Sequence, residues 1–118
     1  MMLEKERLSD WILSRKISIK SMARHFAGWK LRLFQLQPDA GLLRVESSDP
    51  KVAKTIIPLH SSSIRLDKHY YSSDKYHSLC LKYYDKVENC VKEIVMKFED
   101  IHLYNRWYSV SPYYLKSY

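Results

Sequence analysis

Polar and apolar residues alternate from Trp29 to Leu36 (Trp-Lys-Leu-Arg-Leu-Phe-Gln-Leu), the two-residue period of a half-buried strand. Pro38-Asp39-Ala40-Gly41 follows, with proline early and glycine late as a turn favours, so the strand enters a hairpin whose second arm is Leu42 to Ser47. That arm stops at Ser48-Asp49-Pro50, where a fixed proline φ breaks the pattern. Two further strand-like runs, Thr55 to Leu59 and Ser62 to Asp67, are separated by His60-Ser61. Past a polar loop from Lys68 to Lys75, aromatic and β-branched residues concentrate in Tyr76 to Tyr84 and in Lys92 to Phe98. The polar stretch Asp85 to Asn89 between them predicts a second hairpin.

The period changes after Glu99-Asp100. Ile101, Leu103, Tyr104, Trp107, Tyr108 and Val110 contain helical spacings, Asp100 suits the N-cap and Pro112 the stop. Such a helix carries Leu103, Tyr104 and Trp107 on one face, able to plug a curved sheet. In the N-terminal third two readings compete: a strand from about Ser9 to Ser18 followed by a loop with a short amphipathic turn, or one longer helix, since Ile19, Met22, Ala23 and Phe26 have helical spacing before Gly28. With the strand, the count is seven strands and a closing helix. No repeat or linker interrupts them, so residues 1–118 read as a single domain with a core of about 9–110. The expected fold is mainly β, a seven-stranded, strongly bent antiparallel barrel or sandwich capped by one C-terminal α-helix.

Composition agrees with one folded core: 118 residues, 46% hydrophobic and 28% charged, with only two glycines and four prolines, which excludes a low-complexity chain. Charge adds more. The net formal charge is +7, and between Arg15 and Arg32 stand six basic residues (Arg15, Lys16, Lys20, Arg24, Lys30, Arg32) with no acidic one, which points to an anionic partner. Cys80 and Cys90 are expected as free thiols of a reducing compartment. No apolar run approaches the ~20 residues that cross a bilayer as a helix, so membrane contact is expected to be peripheral. The five histidines and two cysteines show no metal-ligand spacing, no cofactor motif is present, and neither a nucleophile elbow nor a phosphate-binding glycine loop occurs. The chain therefore reads as non-enzymatic.

Several stretches, in order, resemble the pleckstrin-homology (PH) family. Trp29-Lys30-Leu31-Arg32-Leu33-Phe34-Gln35-Leu36 is similar to the family's second strand, in which basic-x-Arg precedes an aromatic residue and a leucine. Trp11-Ile12-Leu13-Ser14-Arg15-Lys16 looks like the first strand with its basic end. Gly41-Leu42-Leu43-Arg44, Ser48-Asp49-Pro50-Lys51 and Ile56-Ile57-Pro58-Leu59 look like the third strand, the next loop and the fourth strand, and Trp107 falls where the helical tryptophan is expected. The likeness spans roughly Ser9 to Val110. It implies a module that binds the headgroup of a phosphoinositide or other anionic phospholipid and targets a protein or assembly to the cytoplasmic face of a membrane, in a signalling role. Two positions depart from the pattern: Arg44-Val45-Glu46 stands where many lipid-binding members have a tyrosine, and Thr55 where a glycine is common.

The residues support that chemistry independently. Lys30 and Arg32 share one strand face with Phe34 and Leu36, so the face runs from charged to apolar, as suits a strand that lines an open mouth and then enters a core. Arginine engages two phosphate oxygens at once and lysine supplies a mobile point charge. The headgroup candidates are Lys16, Lys30 and Arg32, with Arg15, Lys20, Arg24 and Arg44 adding field or secondary contacts; the plain alternative is a solvated basic face. Met22 and Phe26 are the candidates for insertion at the acyl boundary, against the commoner role of covering a barrel end. A protein-interaction module on the same scaffold is the second reading. Nucleic-acid binding ranks third, because only Phe26 and Trp29 interleave with the basic run as stacking residues.

Overall fold

The structure is a computed structural model that describes residues 7–18, 28–59, 64–69 and 77–109. Seven strands run in chain order: β1 (Leu8–Ser18), β2 (Lys30–Gln37), β3 (Leu42–Ser47), β4 (Thr55–Pro58), β5 (Arg65–His69), β6 (His77–Asp85) and β7 (Cys90–Phe98). A helix, α1 (Ile101–Ser109), follows. All pairings are antiparallel, in the order β4-β3-β2-β1-β7-β6-β5.

Strand β1 organises the sheet. Leu8 to Ser14 pair with β2, whereas Leu13 to Ser18 pair with β7, so only Leu13 and Ser14 have neighbours on both sides. The sheet therefore divides at β1 into a four-stranded lobe, β1 to β4, and a three-stranded lobe, β5 to β7, folded toward each other. Lys16 shows how far the first lobe curls. Its Nζ donates to Thr55 Oγ1 at 3.1 Å, although β3 and β2 lie between β4 and β1 in the strand order. At about 4.8 Å per strand, a flat sheet would separate β1 and β4 by ~14 Å, beyond a lysine's reach.

The core fills the space between the lobes. Leu8, Ile12, Phe34, Leu36, Leu43, Val45 and Ile57 come from one lobe; Leu66, Leu79, Leu81, Ile94, Met96 and Phe98 come from the other. Trp107 of α1 joins them, 1% exposed, with its ring edge-on to Phe34 at 6.2 Å. Its indole Nε1 donates to Asp10 Oδ2 at 2.9 Å, which satisfies the one polar atom that burial would otherwise orphan. Asp100 caps α1, accepting from the His102 amide at 2.8 Å through Oδ1, and Leu103, Tyr104 and Tyr108 pack beside Trp107.

The expected fold class is found: mainly β, seven antiparallel strands, strongly bent, with one C-terminal helix. It is consistent with a PH-like sandwich and is not closed into a barrel, since β4 and β5 are the two edges of the strand order. The β2–β3 turn forms as its sequence predicts, with Gly41 at φ 68° and its amide bonded to the Pro38 carbonyl. In the β6–β7 hairpin, Asp85 Oδ1 accepts from the amides of Val87 and Glu88, and Asn89 takes the left-handed conformation at φ 55°. One boundary moves. The run expected to end at Asp67 continues through Lys68 and His69, because these pair with Leu79 and Ser78 of β6 and pairing overrides their polar character. The strand reading of Ser9 to Ser18 holds, while the segment after it, 19–27, lies outside the described residues, as does Pro112.

Candidate anion-binding site

Side-chain alternation fixes what each strand contributes to the inner face, the side that faces the core. On β2, Leu36 and Phe34 are fully buried, Arg32 is half-buried and Lys30 is exposed, so the charged-to-apolar gradient expected from the sequence is present. On β1, the inward series Leu8, Ile12, Ser14 ends at Lys16. Register sets Ser14 opposite Lys30 and Ile12 opposite Arg32. The Arg32 guanidinium is held by Ser14: Nη1 donates to the Ser14 carbonyl at 2.8 Å and to its Oγ at 2.9 Å, while that hydroxyl donates to the Lys30 carbonyl at 3.3 Å. One corner of the guanidinium is thereby fixed and its plane oriented before any ligand arrives.

These cations stand close enough to repel. Burial lowers the Lys16 pKa from its ordinary value, and the charges of Arg32, Lys92 and Lys30 lower it further. Burial likewise lowers Arg32. No carboxylate among the described residues forms an ion pair with Lys16, Lys30 or Arg32. Elsewhere cations are matched: Glu46 takes Arg44 at 3.1 Å and Lys54 at 3.6 Å, and Asp67 takes Arg65 at 3.7 Å. Lys92, in phase with Ile94 and Met96 on β7, faces the same mouth but is clasped by Asp85 at 2.8 Å and Glu88 at 3.0 Å. Burial lowers its pKa, but the hydrogen bonds to Asp85 and Glu88 together with the nearby negative charge outweigh that penalty and hold it above the ordinary lysine value. The same bond, with the amides of the hairpin turn, holds Asp85 below the usual carboxylate range.

Of the sequence-predicted residues, Lys16, Lys30 and Arg32 are brought together. Arg15 and Arg44 are not. Arg15 is one residue out of phase with Lys16 and pairs in register with Val95, and Arg44 lies between the inward Leu43 and Val45, bound to Glu46, so both project from the opposite, outer face. Arg15 and Arg44, expected to add field or secondary contacts, can act on this mouth from that face only through their field. Lys20, Arg24, Met22 and Phe26 lie outside the described residues. Three participants were missed: Lys92, Ser14 and, as partner of Lys16, Thr55. Parity along Cys90 to Phe98 would have shown Lys92 facing inward, but only the β1–β7 pairing, Ser18 opposite Lys92, brings it to this mouth.

The arrangement defines a cationic mouth on an open, bent antiparallel sheet. No protein-family model matches the chain, and neither a curated protein nor a solved structure is significantly similar to it.

Proposed function

We propose that this chain is a non-enzymatic PH-type module that binds the phosphorylated headgroup of a phosphoinositide at the mouth formed by Lys16, Lys30 and Arg32, and so holds a protein or assembly at the cytoplasmic surface of a membrane. The observation that carries this reading is the convergence of those three cations, two of them partly buried, without a carboxylate among the described residues to neutralise them. Holding like charges together in a partly desolvated site is unfavourable, and a polyanion reverses the sign of that interaction. Arg32 supplies an oriented donor fork and Lys16 and Lys30 supply point charges to other phosphates. Among the described residues no helix is long and apolar enough to cross a membrane, which fits a peripheral attachment. Each basic residue near an anionic surface contributes on the order of 1 kcal/mol, so three of them with headgroup contacts retain a small domain there.

Cosedimentation with liposomes tests the reading, comparing neutral lipid with neutral lipid plus phosphatidylserine or each phosphoinositide. Wild type is expected to sediment with a phosphoinositide, and a Lys16→Ala/Lys30→Ala variant of unchanged circular dichroism is expected to remain in solution. Absence of binding to every anionic liposome at low salt would sink the proposal.

A further inference from the structure

The outer face of the same two strands carries an apolar patch that is left exposed among the described residues. Leu31 of β2 is 57% exposed and Trp11 of β1 is 51% exposed, and register puts each beside a partly exposed leucine: Leu13 opposite Leu31 and Trp11 opposite Leu33. The row of Leu31 and Leu13 continues across β1 to Lys97, whose Nζ lies over the Trp29 ring at 4.4 Å from its centroid. Leu33 borders Glu46, which Arg44 and Lys54 both neutralise, so the charged border of the patch is net positive. Leu31 itself sits between Lys30 and Arg32, the two β2 cations of the inner mouth.

We infer that this outer face is a second membrane contact, in which Trp11 and Leu31 enter the headgroup region of an anionic bilayer beside the bound headgroup. The inference rests on the phosphoinositide reading above and adds to it where the protein touches the lipid. Charge and composition select the occupant. A tryptophan pairs an apolar ring with a polar N–H and is suited to the interface, and the surrounding lysines and arginines match a negative lipid surface. A second copy of the chain would bring the same positive border against itself. A stable protein interface also engages about 20–30 residues a side, whereas this patch offers four apolar ones. Strand β2 thus presents cations for phosphate on one face and leucines for the interface on the other, alternating by residue.

The test uses the full chain, a Trp11→Ser/Leu31→Ser variant and a Trp11→Phe variant, with two probes: a soluble inositol polyphosphate, and vesicles of phosphatidylcholine, phosphatidylserine and a phosphoinositide, with and without brominated acyl chains. The double variant is expected to bind the soluble polyphosphate as wild type does but to lose at least fivefold in vesicle affinity. Brominated lipid is expected to quench wild-type tryptophan emission more than that of Trp11→Phe. Equal vesicle affinity for wild type and double variant, or equal quenching of wild type and Trp11→Phe, overturns the second contact and leaves the headgroup reading standing. Failure of wild type to bind either probe overturns both. A dimer in sedimentation equilibrium that the double variant dissolves also overturns the inference and assigns the patch to a second copy.

Discussion

At its C-terminal end β2 is sealed: Phe34 and Leu36 are fully buried, Trp107 lies edge-on to Phe34, and the one polar atom of that indole is bonded to Asp10 on β1. At its N-terminal end the same face of the same strand carries Arg32 and Lys30, with Lys16 of β1 beside them and no carboxylate in an ion pair among the described residues. The paired registers continue unbroken from one end to the other, so the backbone does not distinguish them. The difference lies in satisfaction. The closed end pairs the polar atom of its indole plug with Asp10, whereas the open end accumulates like charge that burial makes more costly. Such local inconsistency in an otherwise consistent sequence is where function is expected to reside.

Removing the plug should have the largest effect. Trp107→Ala is expected to lower stability by about 3–5 kcal/mol, the usual range for truncating a buried large aromatic side chain, as measured by urea denaturation. Its folded fraction should bind anion as wild type does, which separates the closed end from the mouth. Lys16→Met comes next and should act in the opposite sense. Because the fold lowers the Lys16 pKa, the charged form is disfavoured there at neutral pH, so removing the charge while keeping the apolar stem should raise the melting temperature. Affinity for a soluble inositol polyphosphate should fall about tenfold, the range of one charge-assisted hydrogen bond. A fall in melting temperature would show that the Thr55 bond outweighs the repulsion.

A smaller effect is expected at the carboxylate clasp. Asp85→Asn/Glu88→Gln unclasps Lys92 and should tighten anion binding about threefold to tenfold in calorimetry, given on the order of 1 kcal/mol per charge near a charged partner. Dependence on pH has a defined sign. The anion prefers protonated lysine, so affinity declines as pH rises through the lowered pKa of Lys16, earlier than an ordinary lysine would produce, and Lys16→Met should abolish that early decline. The smallest effect is on the outer face. Arg44→Ala breaks a partly exposed ion pair worth at most about 1 kcal/mol and should leave anion affinity within twofold.

Much of this contrast was legible in the sequence because period and parity are local. The alternation from Trp29 to Leu36 and the Pro-Asp-Ala-Gly turn determine both the hairpin and which β2 residues share a face, which is why Lys30 and Arg32 could be joined to Phe34 and Leu36. Arg15 and Arg44 were grouped with them on charge alone, although Arg15 neighbours the inward Lys16 and Arg44 lies between inward Leu43 and Val45; parity would have excluded both from the inner face. Lys92 was out of reach for a different reason. It joins the mouth through the β1–β7 pairing, a contact between chain segments some 75 residues apart that no local pattern encodes. The open edges at β4 and β5 were equally invisible, since seven strands of these lengths suit a closed barrel as well as a bent open sheet.

Titration of isotopically labelled protein with a soluble inositol polyphosphate, followed by amide chemical shifts, puts the two ends of β2 in direct competition. Shifts concentrated at Ser14 to Lys16, Lys30 to Arg32 and Thr55, with Phe34 to Gln37 and α1 unmoved, are the predicted result. Shifts confined to the outer face around Arg44 and Arg65, or none at millimolar ligand, would contradict an anion site at the mouth.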